Sequence, residues 1–239
     1  MKIALLGYGR MGKEIEKIAL ERGHEITLII DKNNPEDLNP EKLQNVDVCI
    51  DFSLPETAYN NILKCFEANT PIVSGTTGWL EKKDDVLARC ENGAQTFFYA
   101  SNFSLGVNIF FKLNNWLSKV MNRFDEYNLT ASETHHVKKL DAPSGTALTL
   151  IENAIDQLDR YKNWKLDENV NNNEVPVTAH RIPEVPGIHE MRYESEIDFI
   201  EVKHSAKSRK GFALGAVLAA EFVKDKKGNL TMDDFLKLD

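Results

Sequence analysis

The densest group of reactive side chains lies in residues 133–148, which read ETHHVKKLDAPSGTAL. Ser144, Gly145 and Thr146 follow a proline and precede an apolar series of helical spacing, so the pattern predicts that a helix begins there. The first amides of a helix have no partner within it, and small side chains leave room for a carboxylate or a phosphate to reach them. In a simpler alternative, Ser144 only caps the helix.

Residues just upstream supply protons and positive charge. His135 and His136 can each donate a hydrogen bond or a proton near neutral pH, and Lys139 adds a full positive charge. These residue types suit an anionic substrate that must gain a proton. Each also has an ordinary interpretation, since histidine is more often a surface or packing residue and Lys138 is expected to be solvated. Asp141 either orients Lys139 or ties down the turn through nearby amides.

Metal binding is the other use of paired histidines. Adjacent histidines on an extended strand point to opposite faces, and no cysteine or carboxylate lies at the spacing of a zinc peptidase. Cys49, Cys65 and Cys90 are odd in number and form no C-x-x-C pair, which argues against a disulfide framework and a zinc knuckle. The sequence therefore predicts no metal site.

A glycine-rich stretch near the start, LLGYGRMGKEI, suggests a second site. It places Gly7, Gly9 and Gly12 between a predicted strand and a predicted helix, a spacing that permits a tight turn and close approach to a pyrophosphate. Asp31 ends the second predicted strand about 20 residues on, where a carboxylate can bind the adenosine ribose. These features predict a dinucleotide-binding domain, although a glycine turn that merely connects two elements is the alternative.

The identity of the dinucleotide stays open. Asp31 favours NAD, whereas Lys32 beside it can pair with the 2′-phosphate of NADP, and Arg10 is another candidate phosphate partner. We therefore expect NADH, NADPH or both as cofactor.

Two further stretches follow predicted strands, at the end of the sheet where ligands bind in open α/β folds. They are either part of the cofactor site or ordinary strand-to-helix turns. The residues concerned are Gly75, Thr76 and Thr77 in SGTTGW, and Ala100, Ser101, Asn102 and Phe103 in ASNFS.

The predicted secondary structure that positions these residues differs between the first hundred residues and the rest of the chain. In the first hundred residues, short β-branched runs alternate with helical segments, which is typical of a parallel sheet. Predicted strands there cover residues 2–6, 25–30, 46–52, 71–73 and 95–99, and predicted helices cover 10–22, 55–68 and 80–90. Beyond them we predict helices at 105–121, 144–158 and 212–223, strands within 127–133, 190–193 and 197–204, a long loop at 165–188, and a short final helix capped by Thr231 and Asp234. The predicted fold class is α/β, with a Rossmann-type parallel-sheet nucleotide-binding domain and a smaller α+β domain.

Composition excludes several classes of partner. The chain has 239 residues, 42% of them hydrophobic, and a formal net charge of −8 without a dense basic run, so we expect no nucleic-acid partner. No apolar run approaches the roughly 20 residues of a membrane span, and the first residues lack the cleavage site of a signal peptide. We expect a cytoplasmic protein with no membrane partner.

Several motifs occur in the order found in 4-hydroxy-tetrahydrodipicolinate reductases, long called dihydrodipicolinate reductases. The sequence resembles that family over nearly its whole length, and the H-H-x-x-K-x-D-A-P-S-G-T pattern is highly specific to it. The resemblance implies that a nicotinamide cofactor delivers hydride to a cyclic unsaturated dicarboxylate, giving tetrahydrodipicolinate in the lysine and diaminopimelate pathway. The matching motifs are GYGRMG, DFS (residues 51–53), GTTG, SNFSLGVN and HHVKKLDAPSGTA.

The resemblance also implies residue roles. The family's proton donor corresponds to His135 and its catalytic lysine to Lys139, while His136, Gly145 and Thr146 match substrate-binding positions. Ser144 lies in the same motif and is counted with the substrate-binding group. The cofactor-binding stretches correspond to Gly7, Tyr8, Gly9, Arg10, Met11, Gly12, Asp31, Lys32, Gly75, Thr76, Thr77, Ala100, Ser101, Asn102 and Phe103.

Family members return their last helix to the first domain and are commonly tetramers joined through the sheet of the second domain. The resemblance therefore implies a cofactor domain of residues 1–103 plus 210–239, a substrate and tetramerisation domain of residues 104–209, and a homotetramer. The chain departs from the family in a shorter connection after Asp31 and in Pro183, which stands where glycine is usual.

Two rival functions share part of this pattern. Another dehydrogenase of the same architecture, acting on an amino acid or a semialdehyde, would have the glycine loop but no reason for the H-H-x-x-K and P-S-G-T pairing. A redox-sensing NAD-binding regulator would be expected to bring a DNA-binding module or a basic face, and the sequence has neither.

Overall fold

The computed structural model describes residues 1–92 and 95–237, so four positions of the predicted first domain, 93, 94, 238 and 239, lie outside the described residues. The chain divides into two compact units. The first combines Met1–Ser104 with Lys210–Asp239, and the second is Leu105–Arg209. Among the described helices, none is both long and apolar enough to cross a membrane.

The first unit is built on a six-stranded sheet in which every pairing is parallel, with strand order β11-β5-β4-β3-β1-β2. Its strands are β1 (Lys2–Leu6), β2 (Glu25–Ile30), β3 (Val48–Asp51), β4 (Ile72–Ser74), β5 (Thr96–Tyr99) and β11 (Gly228–Leu230). Its helices are α1 (Arg10–Glu21), α2 (Pro40–Leu43), α3 (Pro55–Glu67), α4 (Lys83–Asn92), α7 (Lys210–Val223) and α8 (Met232–Leu236).

Both faces of this sheet are covered by helices. Successive side chains of a strand point to opposite faces, so Ile3 and Leu5 of β1 pack with α1 and α7, whereas Ala4 and Leu6 pack with α3 and α4. A parallel sheet requires this double cover, and it explains why β1 reads as an unbroken apolar run. The carboxyl ends of the strands are left to carry the loops.

The second unit contains a five-stranded mixed sheet with strand order β10-β9-β6-β8-β7. Strand β6 pairs antiparallel with β9 and parallel with β8, and helices α5 and α6 contribute to the core on one face. The elements are α5 (Leu105–Met121), β6 (Asn128–His135), α6 (Gly145–Ile155), β7 (Asn163–Lys165), β8 (Glu174–Arg181), β9 (Ile188–Glu194) and β10 (Phe199–Ser205).

Strand β8 contradicts the prediction of a loop over residues 165–188. Val175 and Val177 are fully buried in the core of the second unit, and β8 pairs with β6 on one side and β7 on the other. The prediction was wrong because asparagines upstream and Pro176 within the strand are typical of turns and hide a short apolar alternation. Pairing with strands distant in sequence decides the conformation here.

The short elements α2, β7 and β11 were not predicted, but every helix and strand that was predicted is present. The bounds of β1, β2 and α5 are those expected, and the remaining predicted helices and strands differ mainly at their ends. The final helix has the predicted capping box, in which Thr231 and Asp234 each accept a hydrogen bond from the other's backbone amide. The predicted fold class is confirmed.

Candidate active site

The glycine loop after β1 has a backbone that other residues could not adopt. Gly7 has φ +91°, and a Cβ added there would lie 2.3 Å from the carbonyl oxygen of Phe52. A Cβ on Gly12 would lie 2.3 Å from the Gly7 carbonyl oxygen. Gly9, by contrast, has no atom within 4 Å of its Cβ position, and it precedes α1 without any side-chain cap. The uncapped helix start and the open space at Gly9 fit a pyrophosphate group.

The other side chains of the glycine loop differ in solvent exposure. Arg10 is exposed at the first position of α1, and Met11 and Tyr8 pack partly against the core. The Tyr8 hydroxyl donates a hydrogen bond to Glu16. Arg10 is therefore the side chain of this loop that is best placed to meet a ligand from solvent.

Asp31 lies directly after β2 and is half-buried. Its Oδ1 accepts a hydrogen bond from the Asn33 amide at 2.7 Å, and its own amide donates to Asn34. Lys32 is exposed. Because β2 neighbours β1 in the sheet, Asp31 and the glycine loop lie at the same sheet edge.

Loops after β3 and β4 are joined by a buried carboxylate, Asp51. One of its oxygens accepts hydrogen bonds from Ser53 Oγ at 2.6 Å and Asn61 Nδ2 at 3.2 Å, and the other accepts from Ser74 Oγ at 2.9 Å and Thr76 Oγ1 at 2.8 Å. Burial raises the pKa of Asp51 and these hydrogen bonds counter it only in part. Thr76 is thus a structural partner of Asp51 as well as a predicted cofactor residue.

Other predicted cofactor residues lie at the ends of β4 and β5. Gly75 packs against aromatic rings, since a Cβ there would lie 2.3 Å from the Phe52 ring, and Phe103 is buried with its ring centroid 5.5 Å from that of Phe52. Ala100 is also buried, the Asn102 side chain accepts from the Ser104 amide, and Thr77 and Ser101 are exposed. The structure brings these stretches together with the glycine loop at the carboxyl edge of one sheet.

In the second unit, β6 carries the predicted catalytic stretch. Every second residue of this strand is buried, and the series of Leu129 and Ala131 continues with Glu133 and His135. His136 follows the end of β6 and is half-buried, and its carbonyl accepts a hydrogen bond from the Lys139 amide at 3.0 Å. A strand pattern therefore places a carboxylate and an imidazole on the apolar face.

Helix α6 begins as predicted, and its first residues have different surroundings. Ser144 is the N-cap, its Oγ accepting from the Ala147 amide at 3.2 Å, and it is almost fully buried. Gly145 is exposed and has no atom within 4 Å of its Cβ position, while Thr146 is half-buried. Ser144 caps the helix, as the simpler alternative held, and Gly145 leaves the helix start accessible.

Lys139 is paired with Asp141, whose two carboxylate oxygens lie 2.9 and 2.8 Å from Nζ. The hydrogen bond from Lys139 lowers the pKa of Asp141 below its ordinary value. Lys138 is exposed. The ion pair that the sequence suggested is present, and it holds the Lys139 ammonium close to the turn before α6.

Glu133 is the centre of the charged groups in this unit. Its Oε2 lies 3.2 Å from His135 Nδ1 and accepts a hydrogen bond from the Ser144 amide at 3.0 Å, and its Oε1 accepts from the Arg181 guanidinium at 3.2 and 3.3 Å. Burial alone raises the pKa of Glu133, but the interactions with His135 and Ser144 outweigh it and lower the pKa to about 2. Glu133 is therefore ionised at neutral pH.

His189 lies beside this carboxylate. Its ring centroid is 5.0 Å from that of His135, and its Nε2 is 3.1 Å from Ser144 Oγ. Burial and the positive charge of His135 lower the pKa of His189 to about 4, so its imidazole is neutral near pH 7. Glu133, His135 and His189 have ligand atoms within 4.8 Å of one another, but Arg181 and Ser144 already bind the Glu133 oxygens, and we assign no metal to this group.

Three residues of this group were not predicted as site residues: Glu133, Arg181 and His189. A signal for Glu133 exists in the sequence, because the alternation of NLTASETH places it on the apolar face, where a carboxylate requires an explanation. Arg181 and His189 lie 48 and 56 positions further along the chain, and strand pairing brings them next to Glu133.

Comparisons with known proteins match both units of the chain to one family. The family model described as dihydrodipicolinate reductase, N-terminus, matches residues 1–103, and the model of the C-terminus matches residues 106–236. A protein from Christiangramia forsetii named 4-hydroxy-tetrahydrodipicolinate reductase is 50% identical over 99% of this chain and 98% of its own length. One of the same name from Thermosipho africanus is 35% identical over 99% and 98% of the two chains.

The fold is shared with a solved structure. A dipicolinate-bound dihydrodipicolinate reductase from Paenisporosarcina sp. TG-14 aligns with a TM-score of 0.80 over 97% of each chain, at 22% identity. With the two family models spanning nearly all residues, the chain belongs to the dihydrodipicolinate reductase family.

Proposed function

We propose that this chain reduces 4-hydroxy-tetrahydrodipicolinate to tetrahydrodipicolinate with NADH or NADPH, in the diaminopimelate route to lysine. The observation that carries the proposal is the accessible start of α6 at Gly145, with Lys139 and His135 on the turn and strand that precede it. Relatives that are 50% and 35% identical over nearly the full chain bear the name of this activity.

The first unit binds the pyridine nucleotide. The amides at the start of α1 and the space at Gly9 receive the pyrophosphate, and Asp31 accepts hydrogen bonds from the adenosine ribose. When bound, the nucleotide supplies a hydride. Asp31 supports NADH, and exposed Lys32 and Arg10 support NADPH, so we propose that the chain accepts both.

The second unit binds the dicarboxylate. Lys139 and His136 supply positive charge and hydrogen-bond donors, and the amides of Gly145 and Thr146 receive a substrate carboxylate at the helix start. Ser144 holds that helix start in place through its cap and its amide hydrogen bond to Glu133. The solved structure from Paenisporosarcina is described with dipicolinate bound, which supports a ligand with two carboxylates.

His135 supplies the proton. The 4-hydroxyl group of the substrate leaves as water together with a ring proton, which gives a ring with two conjugated double bonds. Hydride transfer to that ring then leaves negative charge on it, and protonation by an adjacent imidazolium removes the charge. The His135 side chain is mostly buried, but Gly187 faces its Nε2: a Cβ there would lie 3.0 Å away. The missing side chain keeps Nε2 accessible, and Nε2 is the atom that we propose transfers the proton.

We also propose a homotetramer in the cytoplasm. Edge strand β10 exposes Phe199 and Ile200, an apolar edge that suits pairing with another copy through the second unit's sheet. Cys49, Cys65 and Cys90 are all free and buried, which suits a reducing compartment.

Oxidation of NADH or NADPH, followed by absorbance, tests the activity. The substrate is generated in the cuvette by the synthase that precedes this step. Saturable oxidation that requires the synthase supports the proposal, and no oxidation with either nucleotide would contradict it. A dehydrogenase for amino acids or semialdehydes would instead act without the synthase when given its own substrate.

A further inference from the structure

A fully buried carboxylate is costly unless its partners compensate for the lost hydration. Glu133 lies on the apolar face of β6, directly after Leu129 and Ala131 in the buried series. An apolar residue would satisfy the packing of this face without that cost. The partners of Glu133 therefore point to a role beyond packing.

Those partners connect Glu133 to both predicted catalytic residues. Oε2 lies against His135 Nδ1 and the Ser144 amide, and Oε1 accepts from Arg181. Arg181 in turn donates to the Lys139 carbonyl at 3.3 Å and to the Asp141 carbonyl at 2.7 Å. One carboxylate thus lies 3.2 Å from the imidazole Nδ1 and is connected to the lysine turn through a guanidinium.

We infer that Glu133 is a positioning residue for the reaction: it holds His135 with Nδ1 turned inward and leaves Nε2 to transfer the proton. This inference deepens the proposed function and rests on it. The same division of roles is found where a buried carboxylate orients a catalytic histidine through one ring nitrogen while the other handles the proton.

The charges around His135 explain why a carboxylate is needed. Arg181 on β8 pairs with Glu133, and Lys139 on the turn pairs with Asp141, whose side chain is exposed. The neighbouring imidazoles of His189 and His204 carry no negative charge. Burial and the charge of His135 lower the pKa of His189 on β9, and burial lowers the pKa of His204 on β10, which pairs with His189. Glu133 supplies the negative charge in contact with the ring.

Replacement Glu133→Gln keeps the shape and removes the charge. We expect kcat to fall about 10- to 100-fold, the magnitude typical for loss of a residue that orients a functional group, with the KM for NADH unchanged. The pH above which kcat declines should move to lower pH, because the imidazolium has lost its carboxylate. Glu133→Asp, which keeps the charge, should leave that pH near the wild-type value and restore part of the rate.

Glu190→Gln is the matched control. Glu190 lies on β9 next to His189 in sequence, pairs with Lys203 and is not in contact with His135. Its replacement removes a charge from the same sheet and should leave both kcat and the pH profile as in wild type. An unchanged kcat in Glu133→Gln, or a lowered kcat with the wild-type pH profile, would overturn the inference.

The ring nitrogens can be observed without turnover. In ¹⁵N-histidine spectra of the wild-type protein, with His135 assigned by its loss in His135→Gln, neutral His135 should carry its proton on Nδ1. A proton on Nε2 instead would overturn the inference even if Glu133→Gln failed to fold. If wild type itself shows no oxidation of nucleotide, the proposed function fails, and the spectra still decide the orientation of His135.

Discussion

Each unit of the molecule contains a buried carboxylate at the edge of its candidate site, and the two are held differently. Among the described residues, the side-chain hydrogen-bond partners of Asp51 in the first unit are neutral, and burial keeps the pKa of Asp51 above the ordinary value. Glu133, in the second, contacts His135, Arg181 and a backbone amide, and its pKa falls to about 2 despite burial.

The difference indicates two uses of the same functional group. Hydroxyl and amide partners let Asp51 join two loops. The interactions with His135 and Ser144 make Glu133 an anion at neutral pH that lies 3.2 Å from an imidazole nitrogen. Under the proposed function, we expect nucleotide binding in the first unit to depend on backbone shape and substrate binding in the second unit to depend on electrostatics. Substitutions in the two units should therefore have different effects.

The largest effect is expected at the imidazole. His135→Gln should lower kcat by about a hundredfold to ten-thousandfold, the usual range for loss of a general acid, and leave the Kd of NADH nearly unchanged. Steady-state kinetics and fluorescence titration measure the two quantities, with exposed His180→Gln on β8 as control. A wild-type kcat in His135→Gln would show that His135 is not the proton donor.

A smaller loss is expected at Lys139. Lys139→Ala removes a charged donor, which is worth about 1.5 to 3 kcal/mol, so kcat/KM should fall roughly 10- to 100-fold, with changes in both kcat and KM. Lys138→Ala, at the exposed neighbouring position, should change neither parameter much. Equal losses in the two variants would show that only the general positive charge of the turn matters.

The two carboxylates should affect stability with opposite pH dependence. Glu133 titrates below its ordinary value of 4.5 when folded, so its stabilisation is present above that pH and is lost as the pH falls towards 2. Asp51 titrates above its ordinary value of 3.8, so stability present below that pH is lost as the pH rises through its raised pKa.

Urea unfolding between pH 3 and 8 measures this difference. Relative to wild type, Glu133→Gln should lose stability as the pH rises, by on the order of 2 kcal/mol at neutral pH, whereas Asp51→Asn should gain relative stability over the same range. If the stability of both variants relative to wild type changed with pH in the same direction, the distinction between the two carboxylates would be refuted.

The smallest effect is expected on nucleotide choice. Asp31→Asn weakens a single interaction with the ribose hydroxyls, so the affinity for NADH should fall about 2- to 10-fold, and NADPH should lose less because its 2′-phosphate no longer faces a carboxylate. Competing titrations with NADH and NADPH measure the ratio, and Glu36→Gln in the following connection is the control. An unchanged ratio would exclude Asp31 from cofactor selection.

The sequence predicted what depends on local pattern. β1, the glycine turn and the start of α6 each follow from residues within a few positions, and all were predicted. β8 was missed because its partners lie elsewhere in the chain and Pro176 resembles a turn signal. The role of Glu133 could not be predicted in full because Arg181 and His189 reach it through neighbouring strands, although its place on an apolar face was visible.

The proposed function depends most on where the dicarboxylate binds. A crystal structure with pyridine-2,6-dicarboxylate and reduced nucleotide should show one carboxylate at the amides of Gly145 and Thr146, near the Lys139 ammonium, with the ring facing His135 Nε2. A dicarboxylate bound away from the start of α6, with His135 free of contact, would contradict it.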